Sequence, residues 1–308
     1  MLSRWVTEIF QRNALSWNAV FACLLVAAFM FVSPPVRALE NGAQASNTSS
    51  YIPAVPDQGK YRLVVIGDSL GNGVWRGLNE AFRGETNIRI ERRSRVSTGL
   101  VRDDYYDWPK ELEQILRHEE PIQIAVVLFG TNDKQAIRAG NGHFVVGSPE
   151  WMQEYESRVD QVMAQLSRHG AAIYWVGLPI MRSQSFSVHA ARINQIVRES
   201  AARFNVKFVE TWEEFADDQG HYDAYGPDVF GRTRRLRMDD GIHFTGPGDR
   251  RLAHIVERLL RADMQNIAGD SVLNNGMDTL PPIPEWRPDR ENTASLPYDR
   301  YAALSRAN

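Results

Sequence analysis

The chain has 308 residues, of which 43% are hydrophobic and 24% charged, with a formal net charge of -3. This length suits one large domain or two small ones, and so small a net charge excludes a protein built to hold nucleic acid by charge. Its only cysteine, Cys23, lies in an N-terminal apolar stretch. Disulfides, a catalytic thiol and cysteine-held metals are therefore excluded from the rest of the chain.

At the N-terminus Arg4 and Arg12 precede an apolar run that is densest from Ala19 to Val32. Ser33-Pro34-Pro35 ends the run before Val36-Arg37-Ala38. A positive start, an apolar centre and a small-residue exit describe an export signal over residues 1–38. Two readings stay open: cleavage near Leu39, or retention as an N-terminal membrane anchor. Both put the body outside the cytoplasm, and a body without cysteines suits a bacterial periplasm better than a disulfide-dense secreted module. Residues 39–59, rich in Asn, Ser, Ala and Pro, read as a flexible linker.

Strands and helices then alternate. A β-branched strand over 62–66 stops at Gly67, and a helix covers 74–82. A strand at 88–91 and a helix at 107–118 follow, the helix carrying Leu112, Ile115 and Leu116 on one face. The nearly continuous apolar run 122–129 reads as a central strand. A long helix over 149–169 ends at Gly170, a strand covers 172–176, a helix 189–204 and a last strand 206–209. The helix 247–260 closes the domain, expected over 60–268; the proline-bearing tail 269–308 is expected to be extended or disordered. Residues 136–150, with three glycines, read as an insertion that could serve as a lid. The alternation implies an α/β fold, a three-layer α/β/α sandwich on about five parallel strands, flavodoxin-like in outline.

Motifs that bear chemistry fall where the strands end. Gly67-Asp68-Ser69-Leu70 follows the first strand, Ser97-Thr98-Gly99 the second and Gly130-Thr131-Asn132-Asp133 the third. Asp240-Gly241-Ile242-His243 precedes the last helix. In this order the four motifs resemble those of the SGNH, or GDSL, hydrolases, over roughly Lys60 to Ala262, and the exported segment is most like that family's bacterial envelope members. The resemblance implies that Ser69 is the nucleophile, His243 the general base and Asp240 the acid that orients it. The N–H groups of Ser69 and Gly99 and the side chain of Asn132 would form the oxyanion hole. The residue types suit the chemistry. A serine hydroxyl is a weak nucleophile until a base takes its proton, and imidazole can take and return it. Asp239 is the neighbouring candidate acid, and the i to i+3 spacing favours Asp240. Asp68 is expected to cap the following helix and Asp133 to support the loop that holds Asn132.

Substrate clues are thinner. Tyr105, Tyr106 and Trp108 suit either a sugar-binding rim or core packing. Arg232, Arg234, Arg235 and Arg237 suit either a solvated face or a grip on a carboxylate or phosphate. The expected function is hydrolysis of an O-acyl ester on a cell-envelope glycan or related polymer, through an acyl-enzyme. Acyl transfer, lipase or thioesterase action, and a silent scaffold are the alternatives. No metal or organic cofactor is implied, and the expected partner is an acylated small molecule or glycan, with no nucleic acid.

Overall fold

The structure, a computed structural model, describes residues 51–53 and 59–267. The export signal and the tail expected from the sequence, and most of the linker, lie outside these residues.

Five strands form one parallel sheet in the order β2-β1-β3-β6-β7: β1 (Tyr61–Gly67), β2 (Ile88–Arg92), β3 (Ile124–Leu128), β6 (Ala172–Val176) and β7 (Lys207–Val209). Two short hairpins lie outside it, β4 (Ile137–Ala139) with β5 (Gly142–Phe144) and β8 (Tyr225–Pro227) with β9 (Thr233–Arg235). The helices are α1 (Ser69–Ala81), α2 (Trp108–His118), α3 (Pro149–Arg168), α4 (Gln184–Phe204) and α5 (Gly246–Ile267). Helices α1 and α5 pack on each other, while α3 packs against both α2 and α4. The two groups give the expected α/β/α layers. Every residue of β3 and β6 is buried, as required of strands covered on both faces.

Local chemistry sets the ends of the elements. Asp68, Asp107 and Ser148 cap α1, α2 and α3, each accepting a hydrogen bond from a first-turn N–H. Helix α4 ends at Asn205, which takes the left-handed conformation that asparagine tolerates. The helix predicted from residue 74 begins at Ser69, five residues earlier, because the Asp68 cap places its first turn immediately after the strand.

The chain passes from β1 to β2 on one side and then to β3 on the other, so the strand order reverses between β1 and β3. Ligands of open α/β sheets bind outside the carboxyl ends of strands at such a point. Gly67 makes the close approach possible there: a Cβ on it would lie 2.1 Å from the Leu128 carbonyl oxygen, and its φ is 151°.

Residues 51–53, inside the expected linker, are docked. Ile52 is buried, and the Tyr51 hydroxyl accepts from the N–H groups of Ile173 and Lys207 at 3.1 Å, joining the starts of β6 and β7. Composition marked this stretch as flexible because it carries no periodic pattern; its anchor is one tyrosine. The 136–150 insertion holds the β4–β5 hairpin. Gly147 within it is packed on Arg192 of α4, and just before it Lys134 Nζ donates to Ser185 Oγ of the same helix at 2.8 Å. Among the described residues no helix is long and apolar enough to cross a membrane.

Candidate active site

Ser69 is the first residue of α1, directly beyond β1. His243 lies in the loop between β9 and α5. The fold brings them together across 174 residues: Ser69 Oγ and His243 Nε2 are 2.8 Å apart. His243 Nδ1 lies 2.6 Å from Asp240 Oδ2. The other carboxylate oxygen of Asp240 accepts from the N–H groups of Ile242 at 2.8 Å and His243 at 2.9 Å. Burial alone would raise the Asp240 pKa. The bonds from the His243 ring and from these two N–H groups outweigh it and bring the pKa down to about 2. Asp239 turns away, pairing with Arg235, and its side chain is 92% exposed. Of the two candidate acids, Asp240 is the one that meets the His243 ring.

A second set of contacts ties the serine turn to the loops after β2 and β3. Asp68, fully buried, accepts from Leu70 N–H at 2.9 Å and from the N–H and hydroxyl of Thr131 at 3.0 and 2.6 Å. This ties the serine turn to the residue before Asn132. Asn132 Nδ2 donates to Thr98 O at 2.8 Å, next to Gly99. Its second, longer contact is to Thr131 Oγ1 at 3.4 Å, so the amide is held between the two loops. Among the described residues no protein acceptor meets the N–H of Ser69 or of Gly99. These two backbone donors are therefore available to a ligand.

The loop holding Gly99 is braced from beneath by groups that sequence reasoning gave only a supporting part or missed. Asp133 accepts from Leu100 and Val101 N–H at 3.1 and 3.0 Å and from the Tyr155 hydroxyl at 2.9 Å. Arg158 Nη1 donates to the carbonyls of Leu100 and Val101 at 2.7 and 2.9 Å. Ser97 takes a φ of 60°, an uncommon value for a residue with a side chain.

Two expectations for substrate contact are corrected. Trp108 is buried, edge-on to Phe129, and its Nε1 donates to Thr98 Oγ1 at 2.9 Å. It supports the Gly99 loop from the core and has no face free for a sugar. Arg237 is also fully buried, donating to the carbonyls of Ile180, Gly241 and Ile242. The other candidates stay at the surface. Tyr105 is 56% exposed. Arg232 is paired with Asp228 and Arg235 with Asp239, whereas Arg234 is exposed and has no partner among the described residues. No signal in the sequence separates the buried arginine from its neighbours, since all four sit in one basic run. Among the described residues no group of three or more His, Cys, Asp or Glu side chains is placed to hold a metal ion.

A parallel sheet in this order, with a serine at its switch point bonded to a histidine three residues beyond an aspartate, is the arrangement that the resemblance to the SGNH hydrolases implies. The chain belongs to the family described as "protein of unknown function (DUF459)", whose model matches residues 62–259. A search of the curated proteins returned no match. Among solved structures, the chain is similar to a putative SGNH hydrolase from Slackia heliotrinireducens, at 14% identity over 66% of this chain and 100% of that one, with a TM-score of 0.45. It is also similar to a putative acylhydrolase from Bacteroides fragilis, at 12% identity over 68% and 91% of the two chains and a TM-score of 0.47. A variant of an acetyl-xylooligosaccharide esterase from Geobacillus stearmophilus gives 17% identity over 65% and 94%, with a TM-score of 0.45.

Proposed function

We propose that the protein is a serine esterase that removes O-acyl groups from a cell-envelope glycan or related polymer. The observation that carries this reading is the 2.8 Å contact of Ser69 Oγ with His243 Nε2, with Asp240 2.6 Å from the far side of the ring. Ser69 Oγ attacks the ester carbonyl while its proton passes to His243 Nε2. Asp240 holds the proton-bearing Nδ1 and stabilises the imidazolium. The carbonyl oxygen, now negative, takes hydrogen bonds from Ser69 N–H, Gly99 N–H and Asn132 Nδ2. The intermediate collapses, the C–O bond breaks, and the alcohol leaves with the proton from His243. Water then attacks the acyl-enzyme by the same steps in reverse and releases the acid.

Acyl transfer to a second alcohol uses the same intermediate but needs water kept out. The side chains of His243 and Asp240 are 39% and 44% exposed, which favours water as the acceptor. A binding scaffold has no need of an aligned triad. The envelope location rests on the N-terminal signal pattern, and the polymer substrate on that location.

A fluorophosphonate probe and a panel of acyl esters, short to long and sugar to lipid, test the reading on wild type and Ser69→Ala. Wild type should label at Ser69 and hydrolyse at least the short-chain esters; Ser69→Ala should do neither while keeping its fold. Equal turnover by the two proteins would remove the mechanism.

A further inference from the structure

Arg237 is a fully buried guanidinium that meets no carboxylate in an ion pair among the described residues. Its Nη1 donates to Ile180 O at 2.8 Å. Its Nη2 donates to Ile242 O at 3.0 Å and Gly241 O at 3.2 Å, and lies 3.3 Å from Met181 Sδ. The rings of Phe244 and Tyr222 cover the group, their centroids 4.4 and 5.2 Å from Cζ. A buried cation without a counter-ion is costly, and an apolar side chain of similar volume would suit these walls. Here the charge is compensated by carbonyls and aromatic faces.

Two of the three carbonyls belong to Gly241 and Ile242, the residues between the acid and the base. The loop they occupy is closed around Arg237. Backbone bridging pairs Arg237 with Phe244, Met238 N–H donates to His243 O at 2.8 Å, and Gly241 N–H donates to Met238 O at 3.1 Å. Ile180 belongs to the segment after β6, and the next arginine in that segment, Arg182, donates its own N–H to Gly241 O at 3.2 Å. The guanidinium therefore joins two segments and fixes the peptide planes from which Asp240 and His243 project. The charged groups facing it are Arg182 and Asp240, with the Tyr222 hydroxyl.

We propose that Arg237 is a positioning residue. Its planar fork holds the Gly241 and Ile242 carbonyls against the Ile180 segment, and so aims the His243 ring between Asp240 and Ser69. The inference rests on the serine-esterase reading for its kinetic consequence alone; the ring geometry can be measured without turnover. A lysine in this place has donors for the carbonyls but no fork to meet both loops at once. Methionine fills the space and donates nothing.

The experiment compares Arg237→Met and Arg237→Lys in the full-length chain. It measures kcat and KM on p-nitrophenyl acetate, together with the ¹⁵N shifts of the His243 ring, assigned by their loss in His243→Gln. A cooperative thermal melt serves as the check on folding. For Arg237→Met we expect kcat to fall by about 100-fold, as for a misplaced catalytic group, with KM within about threefold. Its His243 shifts should depart from those of a ring protonated on Nδ1 alone. Arg237→Lys should recover about tenfold of the loss, since a charged donor to the carbonyls returns. A folded Arg237→Met with wild-type kcat and ring shifts overturns the proposal. So does a folded pair in which lysine recovers nothing, because packing alone would then explain the site. If Arg237→Met does not fold, Arg237→Lys decides, and wild-type kcat and shifts in that variant overturn the proposal. If the wild type neither labels nor turns over, the esterase reading fails, while unchanged ring shifts in Arg237→Met would still overturn the positioning role.

Discussion

Asp240 and Asp68 lie at opposite ends of the carboxylate range, and each carries a prediction. Asp240 is held at about 2 by hydrogen bonds that outweigh its burial. Its folded-state pKa is lowered, so the stability it contributes is present above about pH 4 and lost as pH falls towards 2. Being almost half exposed, it contributes little through solvent-screened charge, and its importance is kinetic. Asp240→Asn should lose up to about 10⁴ in kcat, because the amide neither stabilises imidazolium nor enforces the tautomer. Asp239→Asn should stay near wild type, its carboxylate being directed at Arg235. Steady-state kinetics on both variants checks this, and the reverse result would move the acid by one residue. For Asp68, burial is the largest influence and raises the pKa to about 6, against the bonds from Thr131 and Leu70. The folded state therefore binds the proton more tightly than the unfolded chain does. Stability from this group is greatest below about pH 4 and declines as pH rises to about 6. Asp68→Asn lacks this titration. The urea midpoint of wild type minus that of Asp68→Asn should shrink between about pH 4 and pH 6; a difference that stays constant or grows would show that the carboxylate is not held up by burial.

At the scale of the element, the loop between β2 and α2 shows how a weak sequence signal acquires a physical reason. In the sequence only a resemblance to a known motif points to Gly99. In the structure a Cβ on Gly99 would lie 2.0 Å from Asp133 Oδ1, the atom that accepts from Val101 N–H. Any side chain there must displace the carboxylate that shapes the loop, and with it the Gly99 N–H. We expect Gly99→Ala to lower kcat by about 10²–10³, the loss seen on removing one oxyanion donor, with a smaller change in KM. Single-turnover acylation by p-nitrophenyl acetate reads the step directly; an unchanged acylation rate would take Gly99 out of the oxyanion hole. The helix boundaries were more legible than this loop. Asp107 and Ser148 advertise their caps locally. The partner that makes Gly99 necessary lies 34 residues further on.

At the scale of the whole molecule, the packing of α1 on α5 joins the two halves of the site. Ser69 opens α1 and His243 stands three residues before α5. Arg76 of α1 donates to Asp249 of α5 at 3.0 and 2.5 Å, and Gly77 faces Ala253. The β8–β9 arm lies beside the catalytic loop, with Phe230 71% exposed near its turn and the Arg232 guanidinium 5.0 Å from that ring. If the arm grips an anionic substrate, Arg232→Gln with Arg234→Gln should raise KM for anionic esters and leave neutral ones unchanged. An exposed ionic contact is worth about 0.2–1 kcal/mol, so the rise should be up to about fivefold for each charge, and it should shrink at high salt. Equal effects on both kinds of ester, or none, would make the arm a solvated face.

The alternation of strands and helices and the Asp68 cap are legible in the sequence, and four short motifs at the strand ends single out Ser69, Asn132, Asp240 and His243 by their resemblance to a known family. Each is carried by a short stretch of chain: a β-branched run, a capping residue, or a motif of four residues. Only the folded chain shows which arginine of one basic run is buried, why Trp108 belongs to the core, why Gly99 has no room for a side chain, and that Tyr51 is docked. Each of those depends on two segments distant in the chain meeting in space. Burial and hydrogen-bond partnership are properties of such a meeting, and neither segment carries them alone.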